Sequence, residues 1–185
     1  MEKIVIDTPL TEEKAVDLKC GDMVLISGTL YTARDAAHLR MAENISQNKE
    51  LPFNIKDSVI YYAGPTPERP GNISGSFGPT TSSRMDKMTI PLLEKGLKGM
   101  IGKGLRSPDV IEGIKRNKAI YFAAIGGAGA LISNSIKSIE IVAYNDLGTE
   151  AIRKLVVKDF PAVVAIDTFG DCIYDSGRAK YKMEL

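Results

Sequence analysis

The apolar positions of this chain alternate between strand-like and helix-like spacing, and the breaks fall at glycine and proline. Ile4 and Ile6 alternate with polar neighbours up to Pro9, which predicts a short strand. Thr11 to Leu18 is polar and predicts a helical turn. Met23 to Ser27, entered through Gly21-Asp22 and closed by Gly28, carries a buried-strand signal. Thr32 is a suitable helix N-cap with Asp35 three residues on. Ala33 to Gln47 then contains neither glycine nor proline, and Ala37, Met41 and Ile45 recur every four residues. This predicts a helix with one buried stripe. Ser58 to Ala63 predicts another strand. From Gly64 to Ser83 no period holds, and the stretch contains four prolines and four glycines. A loop of this length in a compact domain is usually functional or disordered.

The second half is richer in strands. Arg84 to Met88 reads as a helix start, and Pro91 as the first turn of another helix to Leu97. Gly99 to Gly102 predicts a short strand. Ser107 and Pro108 suit the N-cap and first position of a helix to Lys115. Ala119 to Ile125 predicts a strand, and Gly126-Gly127 a turn into a short helix, Ala128 to Ser133. Ile136 to Tyr144, Lys154 to Lys158, Val163 to Asp167 and Ile173-Tyr174 predict the remaining strands. No repeat, low-complexity tract or linker interrupts them. The expectation is one α/β domain spanning residues 1–185.

Composition narrows the function classes. Apolar residues make up 44% and charged residues 25%, and the formal net charge is +1. Such a balance gives no global attraction to nucleic acid or to a membrane, so an anion site must be local. No apolar run is long enough for a membrane-spanning helix, and Met1 to Asp7 lacks the apolar core of a secretory signal. A cytoplasmic location is the default expectation. The chain has two cysteines, Cys20 and Cys172, and one histidine, His38. They cannot supply a four-cysteine site or a site of two cysteines and two histidines. The chain alone is therefore expected to hold no structural zinc of those types and no complete iron–sulfur cluster. A disulfide is disfavoured in a cytosolic chain.

Four features are candidates for chemistry. In Gly75 to Arg84, glycines let backbone N–H groups converge on an anion, and hydroxyls add donors. A helix beginning near Thr81 would turn its N-terminus to the same anion, and Arg84 could grip a carboxylate or phosphate. A plain surface loop with a capped helix fits the same residues, and the loop length and trailing arginine leave both readings open. Arg34 stands at a predicted helix N-terminus, where a cation is electrostatically misplaced, and shares a helix face with His38. Meeting a bound anion would explain it. Asp35 pairing with a neighbour and a structural His38 would also fit. Lys103 lies between Gly102 and Gly104 at a strand end, where it could approach a ligand or sit in solvent. Gly126-Gly127-Ala128-Gly129 resembles half of a dinucleotide fingerprint, but Ile132 stands at the third glycine, so backbone packing or pocket lining is favoured.

Taken in order, several segments resemble one family. They are Gly21-Asp22 to Gly28, Thr32 to His38, Tyr62 to Pro67, Gly75 to Asp86, Met100 to Gly104, Gly126-Gly127-Ala128 and Val157 to Pro161. Together they resemble the β subunit, or C-terminal domain, of class I fumarate hydratases and the related L-tartrate dehydratases. The resemblance implies a swivelling β/β/α domain. It also implies a partner α subunit whose three cysteines hold a [4Fe-4S] cluster with one iron open to substrate. The site would lie between the subunits. Arg34, Arg84 and Lys103 resemble that family's ligands for the substrate carboxylates, and Thr81 and the N–H groups after it would hold a carboxylate. Thr80 matches the position of the base that takes the C3 proton of malate, with Arg84 the neighbour that could lower its pKa. Ser82-Ser83 departs from the family, where small residues such as Ala-Gly are common. The expected activity is reversible hydration of fumarate to (S)-malate by a hetero-oligomer of the α2β2 kind, with a homodimer an alternative for the isolated chain. The open iron would act on the leaving hydroxyl, and the arginines and lysine on the charge developing at the second carboxylate. L-tartrate dehydration and a stand-alone anion-binding module are the rival readings. Without the α subunit, Gly64 to Ser83 is expected to be partly disordered or displaced.

Overall fold

The computed structural model describes residues 3–66, 75–124, 129–175 and 177. In chain order the elements are β1 (Ile4–Asp7), α1 (Glu12–Val16), β2 (Met23–Thr32), α2 (Asp35–Ser46) and β3 (Val59–Tyr61). A 3-10 turn (Ser82–Met85) leads into α3 (Asp86–Glu94), followed by β4 (Gly99–Gly102), α4 (Pro108–Asn117) and β5 (Ile120–Ala123). Then come α5 (Gly129–Ser135), β6 (Ile136–Ala143), a second 3-10 turn (Asn145–Glu150) and β7 (Ile152–Ile166).

Strands β2, β3, β4 and β5 are mutually parallel neighbours. Strand β7 runs antiparallel to β5 and also to β2, so the sheet closes on itself in a barrel-like ring. Strand β1 pairs with the first half of β2, before the stretch that β3 takes, and β6 pairs with the first half of β7, before the stretch that β5 takes. Helices α2, α3 and α4 supply the crossovers between parallel strands, as parallel pairing requires.

Side-chain alternation splits the core in two. Val59, Tyr61, Ile101, Ile120 and Phe122 point inward and meet Val24, Ile26, Leu155, Phe160 and Val164 from β2 and β7. Ile60, Tyr62, Met100 and Tyr121 point outward and meet Ala37 and Met41 of α2, Leu92 and Leu93 of α3, and Val110 and Ile114 of α4. The short strands β3 to β5 are thus covered on both faces, which explains their unbroken apolar runs.

Several boundaries differ from the sequence reading, each for a tertiary reason. Strand β2 does not end at Gly28. It passes through it in a bulge, with φ +110° and Thr8 so close that a Cβ would lie 2.4 Å from Thr8 Oγ1. Thr32 is not a cap. It is the last residue of β2, buried, with Oγ1 accepting from the Arg153 N–H at 3.1 Å. The N-cap position belongs to Arg34, and the side chain that serves the helix end is Glu150, whose Oε2 accepts from the Ala36 N–H at 2.8 Å. Pro91 lies inside α3 instead of opening a helix. The two strands expected at Lys154 to Lys158 and Val163 to Asp167 are one strand of 15 residues, kept continuous by pairing with β2 on both sides of the bulge. Residues 173–175 are helical, where a strand was expected.

Candidate functional site

In a parallel sheet, ligands bind beyond the carboxyl ends of the strands. The sequence-predicted site residues lie at that end. Arg34 follows β2, the segment from Gly75 to Arg84 follows β3, and Lys103 follows β4. The turn after β5, residues 125–128, lies outside the described residues, as do residues 67–74 of the long loop.

Buried contacts fix the described part of that loop. Phe77 is fully buried, its N–H bonds to Gly129 O, and its carbonyl accepts from the Tyr61 hydroxyl at 2.6 Å. Thr80 donates both its N–H and its Oγ1 hydrogen to Tyr62 O, each at 2.8 Å. Thr81 pairs with Lys103 in a parallel bridge, through Ser82 N–H to Lys103 O at 3.0 Å and Lys103 N–H to Thr80 O at 3.3 Å. The loop therefore continues the sheet for one rung. Gly102 permits this close approach, since a Cβ there would stand 2.0 Å from Ser82 Oγ. The N–H groups of Phe77, Thr80 and Ser82 are spent on carbonyls, so they are not free to cradle an anion. Those of exposed Thr81 and Ser83 have no partner among the described residues.

A buried polar network lies under this rung. The Tyr121 hydroxyl donates to Gly104 O at 2.9 Å and lies equally close to Ser82 Oγ, whose own hydrogen completes that contact. Arg106, fully buried in its side chain, donates Nε to Asp86 Oδ1 at 2.7 Å and Nη2 to Thr89 Oγ1 at 3.0 Å. The other Asp86 oxygen accepts from the Ser107 N–H at 2.7 Å. This network ties α3 and the segment after β4 to the loop. Nothing in the local sequence marks Arg106 or Asp86, because their partners come from separate elements.

The arginines are already paired with carboxylates. Arg84 donates through Nε to Asp35 Oδ1 at 2.8 Å and through Nη2 to Asp35 Oδ2. That contact holds the Asp35 carboxyl below its usual range. Arg34 Nη2 lies 3.5 Å from Glu150 Oε1 and 3.9 Å from Asp35 Oδ2, and its Nε is buried without a partner among the described residues. Lys103 is exposed, and no hydrogen bond or ion pair engages its Nζ among the described residues. His38 does not join this face. It is fully buried, its Nδ1 faces Arg34 O at 3.0 Å, and burial pushes its pKa down to about 4, so it is neutral at pH 7.

Two cationic side chains and one hydroxyl pair, Thr80-Thr81, thus stand with Arg34 around the carboxyl ends of β2 to β4, a donor set suited to carboxylate or phosphate oxygens. The match that decides the kinship covers residues 1–177 and carries the description Fumarase C-terminus. The chain belongs to this fumarase C-terminus family. Among relatives, a chain of Methanocaldococcus jannaschii with the provisional name L(+)-tartrate dehydratase subunit beta is 37% identical over 95% of this chain and 93% of its own length. The anaerobic class I fumarate hydratase of Escherichia coli is 44% identical over 79% of this chain, and the aerobic one 43% over the same share. This family member spans 27% of the length of those two fumarate hydratases. Both kinds of name are those of hydro-lyases.

The family implies an iron–sulfur cluster, and this chain's residues do not fit its ligation. Cys20 precedes β2, with Sγ 3.8 Å from Ala165 O, and Cys172 faces Ile166. Both lie at the end of the sheet away from Arg34, Thr80 and Lys103. Among the described residues, no group of three or more His, Cys, Asp or Glu side chains is placed to hold a metal. No described helix is long and apolar enough to cross a membrane.

Proposed function

We propose that this chain is the β subunit of a hydro-lyase that hydrates fumarate to (S)-malate, with a swivelling β/β/α domain that supplies one wall of a site shared with an α subunit. The observation that carries the reading is the gathering of Arg34, Arg84 and Lys103 at the carboxyl ends of parallel strands in a member of this family. The [4Fe-4S] cluster, which would supply the Lewis acid, is assigned to the α subunit, in a complex of the α2β2 kind.

The role of this chain's own residues follows from charge. Removing a proton beside a carboxylate places extra negative charge on that carboxylate. Preordered guanidinium and ammonium groups stabilise that charge without reorganising. Arg84, Arg34 and Lys103 are assigned to it, with the free N–H groups of Thr81 and Ser83 as further donors. Thr80 is assigned the proton-transfer position. Its hydroxyl donates to Tyr62 O, and a neutral hydroxyl is no base, so Thr80 takes the C3 proton only after giving its own hydrogen to a stronger acceptor, a role assigned to a carboxylate of the α subunit.

A second reading, L-tartrate dehydration, is favoured by the match over 95% of this chain and 93% of the relative that carries the provisional name L(+)-tartrate dehydratase subunit beta. The substrates differ by one hydroxyl, so a few pocket contacts decide. Anaerobic reconstitution with the α subunit, assayed with fumarate and with L-tartrate, tests both. Thr80→Ala and Arg84→Ala should each lower turnover by about 10²–10³-fold. Near-normal turnover in both variants would sink the assignment, and turnover of neither substrate by the wild type would leave the anion-binding module as the better reading.

A further inference from the structure

Asp35 touches both arginines of the proposed carboxylate site, although they come from separate segments. It is the first residue of α2, while Arg84 lies 49 positions on, in the 3-10 turn after the long loop. Arg84 meets it side-on, through Nε and Nη2. A guanidinium has five N–H donors in a planar fork, and this contact uses two of them. The remaining donors, on Nη1 and on the far side of Nη2, form an edge that matches a second carboxylate. The same Asp35 oxygen lies 3.9 Å from Arg34 Nη2, whose other carboxylate neighbour, Glu150, is itself anchored to the start of α2.

An arginine half-exposed at 49% would otherwise sample many rotamers, and a ligand would have to order it. We propose that Asp35 is a positioning residue that orders Arg84 and aims its unused edge into the carboxylate site. The proposal rests on the carboxylate-binding role assigned to Arg84 above. The opposite role, an internal carboxylate competing with substrate for Arg84, would require Asp35 to occupy the end-on edge. The side-on contact leaves that edge open.

The two roles predict opposite signs. In the reconstituted α–β complex, with fumarate hydration and L-tartrate dehydration both followed, Asp35→Asn places an amide N–H₂ against Arg84 and should lower kcat/KM by about 10–100-fold. Asp35→Glu, which keeps the charge on a longer stem, should recover most of that loss. In an Arg84→Ala background, Asp35→Asn should cost little further, since the direct contact is gone and only the 3.9 Å approach to Arg34 remains. A fall in KM on Asp35→Asn, an unchanged kcat/KM, or losses that add in full to those of Arg84→Ala would each overturn this role while leaving Arg84 as a ligand. An Arg84→Ala complex with wild-type kinetics would overturn both this role and the assignment beneath it.

Discussion

Arg106→Met tests whether the buried ion pair beneath the loop holds this end of the fold together. The Arg106 side chain is 0% exposed and that of Asp86 10%. The guanidinium also reaches Thr89 Oγ1 and the Tyr62 hydroxyl, and lies 5.3 Å and 5.1 Å from the ring centroids of Tyr62 and Tyr121. Methionine would fill much of the same volume. It would leave Asp86 charged, with the Ser107 N–H as its remaining bonded partner among the described residues. Removing one half of a buried pair costs roughly 3–5 kcal/mol, against about 0–1 kcal/mol for an exposed pair. For a chain of this size each kcal/mol moves Tm by about 2–4 °C, so the expected fall is about 6–20 °C. Urea unfolding followed by circular dichroism gives the free energy, and calorimetry gives Tm. Arg106→Lys should lose much of the same stability, because one ammonium cannot serve Asp86, Thr89 and Tyr62 together. Adding Asp86→Asn to Arg106→Met should recover part of the loss by removing the stranded charge. A cost below about 1 kcal/mol for Arg106→Met, or strict additivity of the two changes, would refute the reasoning.

Two further outcomes follow from the geometry. Gly102→Ala should cost about 1–3 kcal/mol and displace Ser82, since the new methyl would stand 2.0 Å from Ser82 Oγ and 3.1 Å from the Tyr62 ring; an unchanged urea midpoint would show that the loop does not press on β4. His38 has a folded-state pKa depressed to about 4, so between that value and its unfolded value near 6.5 the unfolded chain binds the extra proton, and stability falls as pH drops through this window. The contribution reaches at most about 3 kcal/mol. His38→Gln should flatten the pH dependence of unfolding free energy between pH 6.5 and 4.5, and an identical slope in the variant would contradict a neutral buried His38.

Much of the architecture was legible in the chain because local patterns carry it. The unbroken apolar runs around Ile60 and Ile101, the Ser107-Pro108 cap and the four-residue stripe of α2 each reflect one element's own geometry. Candidate cations were legible for a related reason: Arg34 and Lys103 stand where local electrostatics or backbone freedom singles them out, and the ordered segments around Arg84 resemble a family. Closure of the sheet was not legible. It depends on β7 pairing with β2 more than a hundred residues away, and that pairing carries one strand through Pro161 and another through Gly28. Nor could the sequence show what the candidate side chains face. Thr32 looks like a cap, yet long-range strand pairing claims its hydroxyl. Asp35 and Glu150 engage the arginines only because a helix start, a loop and a 3-10 turn meet at one end of the barrel. Residue types and their order announce an anion site; which donors remain free for a ligand is a property of the folded chain, since hydrogen bonds and ion pairs are settled by neighbours in space and not by neighbours in sequence.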